Sequence, residues 1–377
     1  MPDLVAVDLV GPAFVEALLR VWSAGDAVLP VDTRLPPAAR AALLDAMRPA
    51  RLVDRSGECS LPEPLPVEKG DALVVPTSGS TGAPKGVVLS HGAVSAAARA
   101  TSERLGVDPR TDRWLACLPL SHVGGLGVVV RALLSGTGLD VLDAFDADRV
   151  EEAARAGANL VSLVPTALDR IDAGLFRRIL LGGSAIPVDR PGNTVATYGL
   201  TETGGGVVYD GVPIDGAEIR VVAGRIEVRG PMLLRAYRDG TVPLDTDGWL
   251  STGDLGHLDE TGRLVVEGRQ SELIITGGEN VWPTTVERVL AAQPGIGDVA
   301  VVGRPSAEWG EELVALVVPV PGSAPPSLER LRGAVKERLP AFCAPRDVIV
   351  VGSLPRTALG KLRRAELPAL VTGATGR

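Results

Sequence analysis

An α/β fold is predicted for this chain: a large N-terminal lobe of α/β layers with a small β subdomain, followed by a separate small α+β C-terminal domain. With 377 residues, the chain exceeds the size at which a single hydrophobic core stops growing, so at least two domains are expected. Short apolar runs alternate with helical stretches through the first half of the chain. This alternation favours α/β layers around a largely buried sheet.

The first half contains Val-, Ile- and Leu-rich runs that have the length of buried strands, with helical stretches between them. From Ala27 to Val53 the chain has the pattern of one strand–helix–strand unit. Further along, the predicted strands are Leu73–Val75, Gly86–Leu89, Leu160–Val164 and Ile179–Leu181, and the predicted helices are Ala93–Leu105 and Val150–Ala156.

The small β subdomain is predicted between Glu218 and Val266, where short strands and turns replace the earlier pattern. Two β-like runs, Glu218–Val222 and Arg225–Arg229, flank the dipeptide Ala223-Gly224, which predicts a hairpin.

Another set of elements follows Arg269, and its helix has Pro283 near the first turn. We therefore predict an N-terminal domain of residues 1–269 and a C-terminal domain of residues 270–377. The predicted elements of the second domain are the strands Leu273–Thr276, Val299–Val302, Leu313–Val318 and Val348–Val351 and the helix Leu328–Leu339.

The charge and composition exclude several classes of function. A formal net charge of −8 disfavours a surface that binds nucleic acid or an anionic membrane, so any phosphate should belong to a small ligand. The N-terminus lacks the basic region of a signal peptide, and the longest uncharged run, Trp114 to Val130, is too short and too glycine-rich to span a bilayer. We expect a cytoplasmic protein without membrane insertion, and a homodimer is compatible with the sequence. The scattered cysteines, Cys59, Cys117 and Cys343, are expected to be small buried residues without a role.

One ten-residue segment combines hydroxyl groups, glycines and a lysine: Thr77-Ser78-Gly79-Ser80-Thr81-Gly82-Ala83-Pro84-Lys85-Gly86. Glycines allow backbone N–H groups to approach phosphate oxygens, so the segment has the chemistry needed to hold a triphosphate. It is not a Walker A loop, because Pro84 precedes the lysine and no Ser or Thr follows it. The apolar run that comes next predicts a loop that joins two strands and acts as a mobile flap. A plain Gly/Ser surface turn is the alternative interpretation. The length of this segment, ten residues with the required chemistry, disfavours it.

This segment resembles the signature loop of the adenylate-forming superfamily, which includes acyl-CoA synthetases, adenylation domains of peptide synthetases, and luciferases. The resemblance extends over residues 25–365, since four further motifs of the superfamily follow in the expected order. It implies that the loop binds the phosphates of ATP and that Thr81 contributes to a Mg²⁺ site. The loop residues implied to bind ATP are Thr77, Ser78, Gly79, Ser80, Thr81, Gly82 and Lys85.

The next motif, Tyr198-Gly199-Leu200-Thr201-Glu202-Thr203, is implied to contact adenine, the α-phosphate and the metal. Tyr198 would stack on adenine, Thr201 would touch the α-phosphate or the acyl carboxylate, and Glu202 would help to hold Mg²⁺. A carboxylate suits a hard cation that bridges phosphates. The resemblance makes Thr201 and Glu202 candidate catalytic residues. Without it, a lone buried Thr-Glu pair would usually be structural.

Two residues are implied to bind the ribose of ATP. Asp254, within Trp249-Leu250-Ser251-Thr252-Gly253-Asp254-Leu255, would accept hydrogen bonds from both ribose hydroxyls, and Arg269 would contact the same sugar. Taken alone, Asp254 would be interpreted as a turn-capping residue.

The remaining motifs imply a C-terminal domain that rotates between two half-reactions. Gly278, within Thr276–Pro283, is among the glycines implied to line the tunnel for the thiol. Lys361, within Pro355–Arg364, is implied to bridge the acyl carboxylate and the α-phosphate during adenylation, although a lysine in a basic stretch is otherwise usually solvated. At the pivot, where relatives carry Asp or Lys, this chain has Ser271. The energetics of rotation therefore do not follow from the sequence.

Two weaker motifs concern the acid and adenine. His122, within Pro119–Gly125, is a candidate active-site residue as a wall or gate of the acyl pocket rather than as a base, because a single His is more often a structural hydrogen-bonding residue. Gly183, in Leu181-Gly182-Gly183-Ser184, resembles the turn whose backbone faces adenine.

Features beyond the superfamily motifs resemble the o-succinylbenzoate–CoA ligases of menaquinone biosynthesis. They are the shortened N-terminal part and the segments Pro119–Gly136, Ser162–Leu168 and Glu202–Pro213. The resemblance implies an ATP- and Mg²⁺-dependent acid–thiol ligase that converts o-succinylbenzoate to its acyl-AMP and then to o-succinylbenzoyl-CoA. The residue that meets the second carboxylate of this acid is not evident from the sequence.

Other interpretations remain open at this point. The chain could be a ligase for another aryl or medium-chain acid, or an adenylation enzyme that loads a carrier protein. A nucleotide-binding module without catalysis is disfavoured, because the charged residues of the motifs, Lys85, Glu202, Asp254, Arg269 and Lys361, are all present.

Overall fold

The computed structural model describes residues 1–78, 84–183, 186–187, 189–356 and 362–372. The chain forms two compact units. The first comprises Met1–Arg220, Glu227–Thr252 and Glu260–Leu264, and the second comprises Val221–Ile226, Gly253–Asp259 and the chain from Val265 onward. The functional division into residues 1–269 and 270–377 stays a prediction.

Strands and helices alternate through most of the chain up to Leu200, as predicted, but the four strands between Arg51 and Ser90 have no described helix between them. In chain order the elements are β1 (Leu4–Val7), α1 (Gly11–Ser23), β2 (Ala27–Pro30), α2 (Pro37–Met47), β3 (Arg51–Asp54), β4 (Gly57–Ser60), β5 (Asp71–Ser78), β6 (Pro84–Ser90), α3 (His91–Leu105), β7 (Arg113–Ala116), α4 (Val123–Ser135), β8 (Gly138–Val141), α5 (Ala147–Arg155), β9 (Leu160–Leu163), α6 (Pro165–Leu168), β10 (Arg178–Leu181) and β11 (Thr194–Leu200).

Short strands dominate the chain from there to Arg269, and a mixed set of elements follows. They are β12 (Gly205–Tyr209), β13 (Val212–Pro213), β14 (Glu218–Val222), β15 (Arg225–Arg229), β16 (Ala236–Tyr237), β17 (Leu250–Leu258), β18 (Leu264–Arg269), β19 (Ile274–Thr276), β20 (Glu279–Val281), α7 (Pro283–Ala291), β21 (Ile296–Ser306), β22 (Gly310–Pro319), α8 (Leu328–Lys336), β23 (Asp347–Val350) and α9 (Leu367–Thr372). Short 3₁₀ turns span Ala173–Leu175, Thr201–Thr203, Gln270–Glu272, Ala341–Cys343 and Arg364–Glu366.

Two sheets, each of seven strands within the described chain, form the first unit. One has the order β16-β6-β5-β2-β1-β3-β4 and the other the order β13-β12-β11-β10-β9-β7-β8. The central strands are parallel and fully buried, as in β1 and β9, because helices cover such strands on both faces. Antiparallel pairs close the edges, such as β5 with β6 and β11 with β12. These two edges carry the loop and the Thr-Glu motif predicted to bind ATP.

Local side-chain bonds fix where several helices start. Ser90 Oγ accepts a hydrogen bond from the backbone N–H of Ala93 at the start of α3, and an Asp146 carboxylate oxygen accepts one from Arg149 at the start of α5. Such caps satisfy backbone donors that the first helical turn leaves without partners. They explain why these helices follow directly after a loop.

The second unit contains the α+β elements predicted after Arg269. Its sheet has the order β20-β19-β22-β21, and β23 pairs in parallel with β22. Buried residues of this sheet and of α7 and α8 share one core, which includes Val286, Leu313 and Leu331. A four-stranded sheet of the described chain, in the order β14-β15-β17-β18, corresponds to the predicted β subdomain.

The predicted fold class is confirmed, and the differences lie at the ends of elements. The helix α8 ends at Lys336 rather than at Leu339, and β19 begins at Ile274 rather than at Leu273. Among the described helices, none is both long and apolar enough to cross a membrane.

The expectation that all cysteines are buried was wrong for one of them. Cys117 and Cys343 are buried, whereas Cys59 is exposed on β4, the last strand at one edge of its sheet. Residues on both faces of such a short edge strand remain open to solvent.

Candidate active site

The predicted phosphate loop joins two antiparallel strands, as the sequence predicts. Thr77 at the end of β5 pairs with Lys85 at the start of β6, and Thr77 Oγ1 donates a hydrogen bond to the Lys85 carbonyl oxygen at 3.4 Å. The predictions for Gly79, Ser80, Thr81 and Gly82 lie outside the described residues, as does the prediction that the loop is a flap. The side chain of Ser78 is likewise outside the described part.

Glu202 lies in the 3₁₀ turn that follows β11, together with Thr201. The turn is fixed by the buried Thr203, whose hydroxyl accepts from the Leu200 N–H at 2.9 Å. Glu202 itself is half-buried, and its Oε1 accepts a hydrogen bond from the Tyr237 hydroxyl at 2.9 Å. The turn therefore presents a carboxylate whose orientation is fixed.

Lys85 approaches the same tyrosine from another strand. Its Nζ lies 5.3 Å from the centre of the Tyr237 ring, within the range of a cation–π interaction. The structure thus brings Lys85 and Glu202, two of the predicted site residues, to one aromatic side chain that the sequence analysis did not identify.

The predicted adenine contacts lie on the neighbouring strands β10 and β11. Tyr198 is half-buried on β11, and Gly183 follows β10 with a φ of +82°, a conformation that favours glycine. At Gly182 an added Cβ would lie only 2.5 Å from Thr197 Oγ1. The glycines therefore let the turn after β10 pass close to β11.

A narrow cavity of about 20 Å³ lies between α3, α4 and the Gly204–Gly206 segment, enough for a water molecule. Its wall is mainly aliphatic and glycine-rich, and Arg131 of α4 is the charged residue among its described lining. At Gly127, a Cβ would lie 3.3 Å from Arg131 Nη1. Glycine at that position leaves the guanidinium room on the cavity side.

Arg131 is an unusual residue for its position, because its side chain is buried without a carboxylate partner among the described residues. Its guanidinium lies 4.7 Å from the centre of the Trp114 ring, and Nη2 donates to Ser162 Oγ at 3.0 Å. Its Nε has no hydrogen-bond partner within the described structure, and burial lowers the pKa of Arg131. A buried cation of this kind is expensive unless an anion is supplied, which makes it a candidate anion-binding group.

His122 precedes α4, and its Nε2 lies 4.0 Å from Asp32 Oδ2. The Arg34 guanidinium holds that carboxylate with hydrogen bonds of 2.8 and 2.6 Å. Burial, the largest influence, lowers the pKa of His122, and the opposing charge of Asp32 does not restore it. A neutral imidazole is therefore favoured, which agrees with a wall or gate and leaves that role a proposal.

The predicted ribose ligands lie in the second unit and contact each other. The Arg269 guanidinium Nε is 3.1 Å from Asp254 Oδ1, and Asp254 is buried, with 6% of its surface exposed. The two groups are thus positioned as a pair by the strands β17 and β18. Their contact with ribose remains a prediction.

Gly278 and Ser271 also lie in the second unit. Gly278 follows Gly277 in the β19–β20 hairpin, and both have positive φ, 83° and 60°, which favours glycine. Ser271 lies in the 3₁₀ turn Gln270–Glu272. Lys361 lies outside the described residues, so its predicted position is not tested.

The Glu202 carboxylate fits a magnesium ion that is shared with a nucleotide. Among the described residues there is no cluster of three or more His, Cys, Asp or Glu side chains that could hold a metal. A Mg²⁺ bridging phosphates needs only one or two protein carboxylates, since phosphate and water supply its other ligands. The second oxygen of Glu202, which is not used by Tyr237, meets this requirement.

Comparison with known proteins yields consistent matches. The family of AMP-binding enzymes matches residues 56–238, and the AMP-binding enzyme C-terminal domain matches residues 285–361. A probable 2-succinylbenzoate–CoA ligase of Mycobacterium tuberculosis is 40% identical over 329 residues, covering 78% of this chain and 83% of the relative. A 2-succinylbenzoate–CoA ligase of Bacillus cereus is 34% identical over 355 residues, 83% of this chain and 73% of the relative.

Solved structures give the same result. The o-succinylbenzoate CoA synthetase of Bacillus subtilis, in complex with its acyl-adenylate intermediate, matches with a TM-score of 0.86 and 29% identity over 97% of this chain and 88% of that one. The same protein in complex with ATP and magnesium ion matches with a TM-score of 0.85 and 28% identity, over 97% and 89% of the two chains.

Sequence reasoning missed two residues of the candidate site, Tyr237 and Arg131. For Arg131 a signal was present, because it is the single charged residue of the apolar helix α4. A lone arginine among Val and Leu residues has no reason to be buried unless something meets its charge. For Tyr237 no local signal exists, since its partner Glu202 is 35 residues away in the chain.

Proposed function

The chain belongs to the AMP-binding enzyme family, with 2-succinylbenzoate–CoA ligases among its relatives, and on this basis we propose that it joins o-succinylbenzoate to coenzyme A at the expense of ATP. The enzyme is an AMP-forming acid–thiol ligase, and its reaction has two steps. The observation that favours this acid over others is the buried Arg131 in the wall of the cavity.

In the first step a carboxylate oxygen of the succinyl arm attacks the α-phosphorus of ATP. An O–P bond forms, the bond between the α-phosphorus and the bridging oxygen breaks, and pyrophosphate leaves with its electron pair. In the second step the thiol of coenzyme A attacks the acyl carbonyl and loses its proton. A C–S bond forms, the acyl C–O bond breaks, and AMP leaves.

The first step brings two anions together, so catalysis depends on positive charge. Lys85 would meet the β- and γ-phosphates, and Lys361 would bridge the acyl carboxylate and the α-phosphate. A cation about 4 Å from a developing charge is worth on the order of 4 kcal/mol at an effective dielectric near 20. This corresponds to roughly a thousandfold in rate.

The remaining predicted residues would bind and orient the nucleotide. Glu202 and Thr81 would hold Mg²⁺, which neutralises phosphate charge when it is bound. Asp254 and Arg269 would hold the ribose, and Tyr198 and Gly183 would hold adenine. The ion pair of Asp254 with Arg269 supports their assignment to one ligand.

Arg131 supports the choice of acid because o-succinylbenzoate has a second carboxylate, on its ring. A buried guanidinium whose Nε has no partner among the described residues can form charge-assisted hydrogen bonds with such a group. The aliphatic wall contributed by Leu73, Val94 and Leu126 suits the aromatic ring. The cavity must widen to admit that ring, and its three glycines at positions 204–206 carry no side chain that would prevent it.

The direct test is pyrophosphate release with ATP, Mg²⁺ and a panel of acids, followed by thioester formation. We expect o-succinylbenzoate to give the highest kcat/KM and free coenzyme A to accept the acyl group. A thioester on a purified carrier protein, without reaction of free coenzyme A, would establish the carrier-loading alternative instead. Absence of pyrophosphate with every acid would identify a binding protein without catalysis.

Lys361→Ala separates the two steps. We expect it to abolish adenylation and to spare thioester formation from supplied o-succinylbenzoyl-AMP, because the lysine acts on the first transition state. Lys336→Ala, on the exposed side of α8, is the matched control and should leave both steps unchanged. Equal loss of both steps in the Lys361 variant would contradict a domain that presents this lysine only for adenylation.

The functional domains 1–269 and 270–377 and the cytoplasmic location are proposed from the sequence. A homodimer is proposed as the assembly. Sedimentation of the purified protein tests this assembly.

A further inference from the structure

Tyr237 lies between two oppositely charged residues of the proposed ATP site. Its hydroxyl donates to Glu202 Oε1 at 2.9 Å, and Lys85 Nζ lies 5.3 Å from the centre of its ring. Within the described residues Lys85 and Glu202 form no ion pair with each other. The Tyr237 side chain thus contacts Glu202 through its hydroxyl and Lys85 through its ring, while the two charges remain apart.

The backbone around Tyr237 fixes this arrangement. Tyr237 on β16 pairs with Val87 on β6, two residues beyond Lys85, and the Arg238 N–H donates to the Gly86 carbonyl at 2.7 Å. Just upstream, the Leu234 N–H donates to the Glu202 carbonyl at 2.7 Å. One short segment is therefore bonded to the strand that carries Lys85 and to the turn that carries Glu202.

The neighbouring Arg238 anchors the segment on its other side. Its Nε donates to the Met47 carbonyl at 3.0 Å, and its Nη1 donates to the Pro66 carbonyl at 3.0 Å. Such fixed surroundings restrict the Tyr237 side chain to few positions. A side chain held this way can orient a carboxylate without a large loss of entropy when the ligand binds.

We infer that Tyr237 is a positioning residue of the ATP site: its hydroxyl orients Glu202 toward magnesium, and its ring holds Lys85 for the phosphates and keeps the two charges from neutralising each other. This inference rests on the proposed function. It assigns to Tyr237 no contact with the reacting atoms.

The two halves of the inference can be separated by a pair of substitutions. Tyr237→Phe keeps the ring and removes the hydroxyl, whereas Tyr237→Leu removes both. ATP binding is measured by calorimetry on the full chain, without acid, as a function of Mg²⁺ concentration. Tyr209→Phe is the control, because it removes another tyrosine hydroxyl, which is bonded to Thr101 at 2.9 Å.

For Tyr237→Phe we expect the Mg²⁺ concentration at half-saturation to rise about tenfold, as is typical for loss of a residue that orients a metal ligand. ATP affinity without Mg²⁺ should stay within about twofold, since the cation–π contact is retained. For Tyr237→Leu, which removes the ring as well as the hydroxyl, ATP affinity without Mg²⁺ should fall by about threefold. Tyr209→Phe should not change the Mg²⁺ midpoint.

A double-mutant cycle makes the link to Glu202 specific. In a Glu202→Gln background, Tyr237→Phe should raise the Mg²⁺ midpoint no further, because the oriented carboxylate is already gone. Independent, additive effects of the two substitutions would overturn the role of the hydroxyl. An unchanged midpoint for Tyr237→Phe would do the same. Tighter ATP binding by Tyr237→Leu would overturn the role of the ring.

Failure of this inference is distinguishable from failure of the proposed function. The binding measurement needs no acid, so a wrong acid leaves it intact. A wild-type protein that binds no MgATP would overturn both. Should Tyr237→Leu fail to fold, as judged by circular dichroism, the Phe variant and the double-mutant cycle still decide the role of the hydroxyl.

Discussion

Two arginines, one in each unit, are largely buried but differ in whether a carboxylate neutralises their charge. In the first unit, Arg131 is 7% exposed and meets an aromatic ring and a hydroxyl but no described carboxylate. In the second unit, the Arg364 side chain is 18% exposed and bonds Glu287 twice, at 2.9 and 2.7 Å, with Glu272 at 2.9 Å. One cation is neutralised within its own unit, and the other is not.

The difference indicates how a structural cation can be told from a binding cation. Arg364 joins the 3₁₀ turn that contains Ser271 to the helix α7, so its charge is used in holding the second unit together. Arg131 lies beside a cavity, and its Nε makes no hydrogen bond within the described part of the chain. Burial alone therefore does not identify function, whereas a buried cation beside a cavity with no opposite charge among the described residues is a candidate for anion binding.

The largest effect is expected for Arg364→Met. Removing the guanidinium leaves the Glu287 carboxylate, whose side chain is 14% exposed, without the Arg364 cation, which should lower the free energy of unfolding by about 3 kcal/mol in urea denaturation. Arg363→Met is the control, because that side chain is 53% exposed and pairs with Glu366 on the surface. A loss of less than about 0.5 kcal/mol is expected there. Equal effects of the two variants would contradict the structural role of Arg364.

Arg131→Met should have the opposite profile, with stability unchanged or higher and activity reduced. We expect kcat/KM for o-succinylbenzoate to fall about 100-fold, since the ring carboxylate would lose its buried partner. The matched substrate is 4-oxo-4-phenylbutanoate, which has the same succinyl arm but no ring carboxylate. Its kcat/KM should change little. An equal loss with both acids would mean that Arg131 does not recognise the second carboxylate.

A smaller effect is expected for Ser162→Ala, which removes the hydroxyl that accepts from Arg131 Nη2. The loss of one hydrogen bond that orients the guanidinium should raise KM for o-succinylbenzoate about fivefold and leave kcat nearly unchanged. The substrate without the ring carboxylate again serves as the comparison. A change in kcat alone would indicate a role for Ser162 outside this recognition.

The fold was predictable to the extent that each element has a local pattern. The strand from Ile179 to Leu181 and the helix that begins at Pro283 were identified because apolar periodicity and proline at the first helical turn are local signals. The end of α8 was not identified correctly, because the residues directly after Lys336 are also typical of helices although the helix ends there. Element ends depend on tertiary contacts that no window of sequence contains.

The site was predictable where a motif is continuous. Thr77 and Lys85 belong to one segment, and the structure places them as partners on adjacent strands. Tyr237 could not be found in this way, because its proposed role depends on its contacts with Glu202 and Lys85, which are distant in the sequence. A lone charge within an apolar helix, as at Arg131, is the kind of local conflict that sequence reasoning can use.

The exposure of Cys59 has a practical consequence. Cys117 is buried with its pKa raised by burial to about 12, and burial likewise raises the pKa of Cys343, so neither thiol should react near neutral pH. A maleimide fluorophore should therefore attach at Cys59 in the wild-type chain without any engineered substitution. The fluorescence anisotropy or quenching of this fluorophore during rapid mixing with nucleotide would then report ligand-induced conformational change in every variant described above.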